Sequence, residues 1–323
     1  MKRVTVSAPG KLMLFGEHAV VYGRPCIVTA VNQRMKATVE LTDEPIFQLN
    51  APDVQVESYK KPMSNLGQGD IPKGAKFVEI AVKNYLSFLL VKPGVKITTS
   101  SEFSSQFGFG SSSASTVCVI KALSDITKVN LDNKAIFDLA YKTILDIQGK
   151  GSGFDVAAAV YGGTLYFVTG GKVIKPLKIN NLPLIVGYSG IKFDTVRLID
   201  EVAKKAKKYP SVVDNIYNQI GKLVDFARKA ILKNDFATLG ELMNFNEGYL
   251  SSLGVEGKKL SDMIYAAIDA GAYGAKLSGA GIGDCMIALA PKNKVQAVKN
   301  GITSAGGQVI DIKTNVEGVR IEK

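Results

Sequence analysis

The sequence predicts a mixed α/β (α+β) chain in two domains, and three observations carry that expectation. Through residues 1–180, short Val-, Ile- and Thr-rich runs alternate with stretches of helical spacing. A polar segment, Asn180-Asn181-Leu182-Pro183, then reads as a linker. Beyond it, once an inserted helix pair is set aside, the order is β-α-β-β-α-β, the split βαβ or ferredoxin-like pattern. The expected division is 1–180 and 181–323, with a cleft between the domains. A length of 323 residues suits two domains better than one.

In chain order, residues 3–8, 26–31 and 35–41 read as strands bounded by turn residues. Residues 45–73 are polar and hold Pro52, Pro62 and Pro72, as loops and edge strands do. Phe77, Ile80, Ala81, Tyr85 and Leu89 mark a helix over 77–90, and Val95 to Thr99 returns to strand. Helices follow over 113–127, 134–145 and 157–161. Gly162-Gly163 breaks the chain before a strand over 164–168. In the second half, a strand over 184–188 leads into amphipathic helices over 195–207, 212–232 and 236–250. Val213, Ile216, Ile220, Leu223, Phe226 and Ala227 form an apolar stripe that reads as core. A helix over 259–270, strands over 275–277 and 285–290, a helix over 294–304 and a strand over 308–312 complete the chain.

Composition narrows the function. Hydrophobic residues make up 46%, enough for sizeable cores, yet no run approaches the ~20 apolar residues of a membrane helix. The start, Met1-Lys2-Arg3-Val4-Thr5-Val6, has no apolar signal core, so a cytoplasmic protein with no membrane partner is expected. Cys26, Cys118 and Cys285 are far apart in apolar contexts and read as free thiols. The single histidine, His18, argues against a multi-histidine metal site. The net charge of +11 is spread along the chain rather than blocked, which fits anionic small molecules better than nucleic acid. A basic RNA-binding protein remains a remote alternative, but clustered aromatics and Arg-Gly segments are lacking.

Four segments carry chemistry. Gln106-Phe-Gly-Phe-Gly-Ser-Ser-Ser-Ala-Ser-Thr116 runs directly into a helix. Gly108 and Gly110 let backbone approach a ligand, and a helix N-terminus offers unpaired N–H groups to phosphate. A plain glycine turn with a serine cap reads equally well from this stretch alone. Ser7-Ala-Pro-Gly-Lys11 places a cation after an early strand, followed by Glu17 and His18; a hairpin with solvated charge is the plain alternative. Asp146-Ile-Gln-Gly-Lys-Gly-Ser152-Gly-Phe-Asp155 sets a carboxylate in a glycine-lined loop, suited to accept an alcohol proton or simply to cap a helix. Lys276-Leu-Ser-Gly-Ala-Gly-Ile-Gly-Asp-Cys285 is a glycine-rich turn between two strands. No Walker A, dinucleotide or protein-kinase signature occurs.

Taken in this order, three of these segments resemble the motifs of the GHMP small-molecule kinase superfamily over essentially the full chain. They are Ser-Ala-Pro-Gly-Lys, Gly-Phe-Gly-Ser-Ser-Ser-Ala and Lys-Leu-Ser-Gly-Ala-Gly-Ile-Gly-Asp-Cys. The resemblance implies a ribosomal-S5-like N-terminal domain carrying the ATP and catalytic loops, and a ferredoxin-like C-terminal domain. Leu14 to Gly23 and Met243 to Val255 look like the mevalonate kinase branch. Ser152 to Ala157 and Gly283-Asp284-Cys285 look more like the phosphomevalonate kinase branch. Gln106, Phe109 and Ile282 depart from the usual pattern.

The resemblance implies transfer of the γ-phosphoryl group of ATP to the 5-hydroxyl of mevalonate, or to 5-phosphomevalonate, with Mg²⁺ as cofactor. Gly108, Phe109, Gly110, Ser111, Ser112, Ser113 and Ala114 would bind ATP. Ser112 would ligate Mg²⁺, with Glu17 and Asp146 as candidate acidic partners. Asp155 would be the base and Lys11 would stabilise the developing charge. His18, Ser152, Lys192 and Thr195, with Lys11 and Asp155, would contact the acceptor. Ser278, Gly279, Ala280 and Gly281 would shape the nucleotide pocket. Lys150 could supply the extra cation that a second phosphate requires. Oligomeric state is left open by the residues, a homodimer included.

Overall fold

The computed structural model describes residues 3–90, 92–180 and 182–322. Asn181, in the expected linker, lies outside them. The chain opens with β1 (Arg3–Phe15) and β2 (Pro25–Thr42), paired antiparallel along almost their whole length. The strand expected over 3–8 instead runs on through Pro9-Gly10 to Phe15. The ladder shifts register there, with Pro9 opposite Arg34 and Gly10 opposite Val31. Proline lacks a ladder donor and is tolerated at such an irregularity. β2 likewise runs unbroken where two strands are expected.

Next come β3 (Ile46–Ala51), β4 (Val56–Pro62), α1 (Lys76–Tyr85), β5 (Gly94–Ser101), α2 (Ser111–Ile126), α3 (Asn133–Gln148), α4 (Phe154–Tyr161), β6 (Thr164–Val168) and β7 (Val173–Leu177). The first sheet has the order β1-β2-β5-β3-β4, and β6 pairs with the early half of β2 and with β7. Only β3–β5 is parallel. Helix α2 is buried on nearly every side, from Ser113 to Ile126, against the sheet and the other helices. A helix apolar all round belongs inside a core, and its N-terminus is the Gly-Ser segment.

The second sheet begins with β8 (Leu184–Tyr188) and continues through α5 (Thr195–Lys208), α6 (Pro210–Lys233), α7 (Phe236–Leu253), α8 (Lys258–Asp269), β9 (Gly274–Ser278), β10 (Cys285–Leu289), α9 (Val295–Ser304) and β11 (Gln308–Ile310). Its order is β11-β8-β10-β9, all antiparallel. The first and last strands therefore lie side by side at its centre and edge, as the ferredoxin-like reading requires. The expected strands, helices and β-α-β-β-α-β order are all present. One feature has no signal in the sequence: after β11 the chain returns to the first sheet. There β12 (Arg320–Ile321) pairs with β1, and buried Thr314 bonds the backbone of Leu182.

Candidate active site

Strand β1 runs beside the Gly-Ser segment, and that places Lys11. The Lys11 N–H donates to Phe109 O at 3.0 Å, and Gly10 leaves no room there for a side chain without pressing Phe109. The Lys11 ammonium donates to Gly108 O at 2.8 Å and sits 5.2 Å over the Phe154 ring. Burial pushes its pKa down, while Asp155 and Asp284 oppose that shift.

Helix α2 starts at Gly110, which is left-handed (φ 78°), and no side chain caps its N-terminus. The first turn therefore offers its donors to the adjoining space. Ser113 Oγ donates to Asp155 Oδ2 at 2.7 Å, joining α2 to α4. A β-carbon at Gly110 would lie 3.3 Å from Lys11 Cε and 3.5 Å from Asp155 Cβ, so three segments converge on this point. Asp155 stands in the first turn of α4, as an anionic group there should.

These groups line one cavity of about 750 Å³ between the two sheets. Ser111, Ser112, Gly108 and Gly110 line it from the α2 side. Ser152 and Asp155 come from the α3–α4 loop and α4. Lys192 and Thr195 come from the segment after β8 and from α5. His18 enters with Gly279 and Ala280. Its Nε2 is 2.8 Å from Ala280 O, its backbone is left-handed (φ 58°), and burial lowers its pKa against the opposing bond to Ala280. Such a backbone in a non-glycine residue is strained and is held by its surroundings.

Five expected site residues sit behind the wall. Phe109 is buried among Phe103 and Phe107, and Ala114 lies in the core of α2. Ser113 is buried and acts on the cavity through Asp155. Ser278 bonds both the N–H and C=O of Met13, tying β9 to β1. Gly281, with φ +103°, packs so closely on Val255 O that a β-carbon would lie 2.1 Å away.

The two acids expected beside the metal are elsewhere. Glu17 is fully buried and pairs with Lys276, which is equally buried; Asn246 adds a 3.4 Å contact. Asp146 pairs with Lys142 on the outer side of α3 and accepts from Asn84 at 2.9 Å. The physical reason is periodicity. Asp146 falls nine residues before Asp155 on a helix face turned toward α1, and Glu17 follows the end of β1 into the layer beneath β9. Neither lines the cavity. Among the described residues, no group of three or more His, Cys, Asp or Glu side chains gathers as a metal site.

A carboxylate that does line the cavity beside the Gly-Ser segment is Asp284. It is buried, receives Lys192 Nζ at 2.9 Å and lies against Gly108, where a β-carbon would be 2.6 Å from its Oδ2. Its sequence signal is a charge inside a glycine-rich turn. Gln148, Asp53 and Lys73 also line the cavity. The last two fall in a stretch that reads only as polar loop, so nothing local marks them.

Comparison with known proteins fits this geometry. The chain matches the family models described as GHMP kinases N terminal domain, over residues 75–163, and GHMP kinases C terminal, over 227–308. It is 37% identical to the mevalonate kinase of Thermococcus sibiricus, over 99% of this chain and 98% of that one. Among solved structures, the Methanococcus jannaschii mevalonate kinase is similar with a TM-score of 0.82 and 28% identity, covering 98% of this chain and 99% of that chain. The L. major mevalonate kinase in complex with R-mevalonate is similar with a TM-score of 0.78 and 26% identity, covering 98% and 96%.

Proposed function

The chain belongs to the GHMP kinase family, and from that premise we propose that its cavity transfers the γ-phosphoryl group of ATP to the 5-hydroxyl of mevalonate. The observation that carries this reading is the convergence of Lys11, Asp155 and the uncapped N-terminus of α2 on one cavity. Full-length similarity to mevalonate kinases names the acceptor.

In this reading the phosphates of ATP lie over Gly108 to Ser113, where α2's N–H groups and partial positive charge offset theirs. The acceptor hydroxyl faces Asp155, which takes its proton as the new O–P bond forms. The bond from the γ-phosphorus to the bridging oxygen breaks, and ADP leaves with that electron pair. Lys11, already bonded to the Gly108 carbonyl, faces the charge that develops on the transferring group. In phosphoryl transfer, such positioning and charge stabilisation supply most of the catalysis. Ser113 fixes the Asp155 carboxylate through its hydrogen bond. Lys192, Ser152, Thr195 and His18 meet the acceptor's carboxylate and hydroxyls.

Mg²⁺ bound with ATP would neutralise phosphate charge, and the donor set suits an ion carried in by its nucleotide. Ser112 would help to hold the ion through its hydroxyl, alongside the nucleotide's own phosphates and water, the oxygen donors that Mg²⁺ prefers. Asp284, which lies against Gly108, is one acid beside this segment.

The test is ADP release from Mg-ATP with mevalonate and with 5-phosphomevalonate in parallel. Turnover confined to mevalonate is expected. Turnover only with 5-phosphomevalonate would overturn the acceptor assignment and leave the kinase chemistry standing.

A further inference from the structure

Two lysines of the cavity wall, Lys192 and Lys11, already have carboxylates beside them. Lys192 pairs with Asp284 at 2.9 Å, and Lys11 lies in the field of Asp155 and Asp284. Lys150, on the loop between α3 and α4, also lines the cavity, and it pairs with Asp200. Asp200 belongs to α5, whose Thr195, Val196 and Ile199 line the same cavity from the opposite side. Lys73, the remaining lysine on the wall, precedes Gly74, which packs against Val54.

The Lys150–Asp200 pair is partly exposed, with side chains 32% and 55% accessible. It therefore adds little to stability, and its position at the cavity wall calls for another account. An acceptor with one carboxylate brings a single negative charge. An acceptor that also bears a phosphate brings ~1.5 to 2 further negative charges and needs its own cation. Lys150 is placed to be that cation, but binding a phosphate there means parting it from Asp200 or setting a dianion beside a carboxylate.

We propose that Asp200 determines acceptor specificity: by holding Lys150 it denies a second phosphate its counter-ion, so the site takes the unphosphorylated acceptor and rejects the phosphorylated one. This rests on the mevalonate reading above. Discrimination then comes from an opposed charge rather than from shape, a common route to selectivity.

The experiment compares the wild-type chain with Asp200→Asn, Lys150→Met and the double variant, using Mg-ATP with mevalonate or 5-phosphomevalonate. The dissociation constant of 5-phosphomevalonate is measured by calorimetry alongside. Asp200→Asn should improve kcat/KM and binding for 5-phosphomevalonate about tenfold, roughly 1.4 kcal/mol. The same variant should leave kcat/KM for mevalonate within about threefold. Adding Lys150→Met should abolish the gain. A pair that only clips α5 to the loop would move both acceptors together, and an unchanged ratio of the two acceptors, or an equal change in both, overturns the proposal. Failure of the underlying reading is seen separately, in a wild-type preference for 5-phosphomevalonate.

Discussion

The Ser113 hydroxyl donates to Oδ2 of Asp155 at 2.7 Å, and this bond joins the first turn of a core helix to the first turn of a helix 42 residues later. Both turns open on the cavity side, so one hydrogen bond aligns the proposed phosphate cradle with the proposed proton acceptor. Asp155→Asn keeps the shape and removes the base. It should cut kcat by about 10²–10⁴-fold and leave nucleotide affinity unchanged, as read by steady-state kinetics and nucleotide titration. Turnover at the wild-type rate would refute the assignment.

Lys11→Met removes the cation that meets developing charge but keeps most of the buried stem. A loss of about 10²–10³-fold in kcat is expected, on the scale of one stabilising donor. The loss should appear in kcat more than in KM for ATP, because the helix N-terminus still holds the ground-state phosphates.

Gly110→Ala inserts a methyl group between Lys11 Cε and Asp155 Cβ, at a residue held at φ +78°. The left-handed backbone alone should cost about 1–2 kcal/mol in an alanine. Denaturant titration should show that loss, and kcat should fall further than stability explains, since the new group presses on Lys11, the proposed charge-stabilising cation, and touches Asp155.

Lys276→Met strands Glu17, a carboxylate with no exposure, without its cation. Removing one partner of a buried pair typically destabilises by about 3–5 kcal/mol. Adding Glu17→Gln should recover part of that. Equal unfolding midpoints for Lys276→Met and wild type would show that the pair carries no such weight.

Glu247 offers a pH-dependent counterpart. Burial pushes its carboxyl up to about 7 from an ordinary 4.5, against the opposing pull of Lys276 and the Leu277 N–H. Between those values the folded state holds a proton that the unfolded state has lost. Stability therefore falls as pH rises from about 4.5 to 7 and levels above that, by on the order of 3 kcal/mol. Glu247→Gln should remove this slope, raising the melting temperature at pH 8 and leaving it nearly unchanged at pH 4.5.

Much of this protein is written locally. Helical spacing and β-branched runs set nearly every element, because period and propensity act over a few residues. The order of strands 184–312 announces the ferredoxin-like sheet. Gly108, Gly110, Lys11 and Asp155 are legible as chemistry, since each is an unusual residue in a glycine-lined context. Tertiary structure alone decided the rest. Glu17 and Asp146 have the right charge for a metal, but helix phase and the layer beneath β9 turn them to Lys276 and Lys142. Asp284, Lys73 and Asp53 reach the cavity from segments distant in sequence. So does the Lys150–Asp200 pair, which spans 50 residues and two sheets. Charge and hydrogen bonding act through space over a few ångströms, so which carboxylate faces which cation is fixed by packing, after the sequence has already settled the elements that pack.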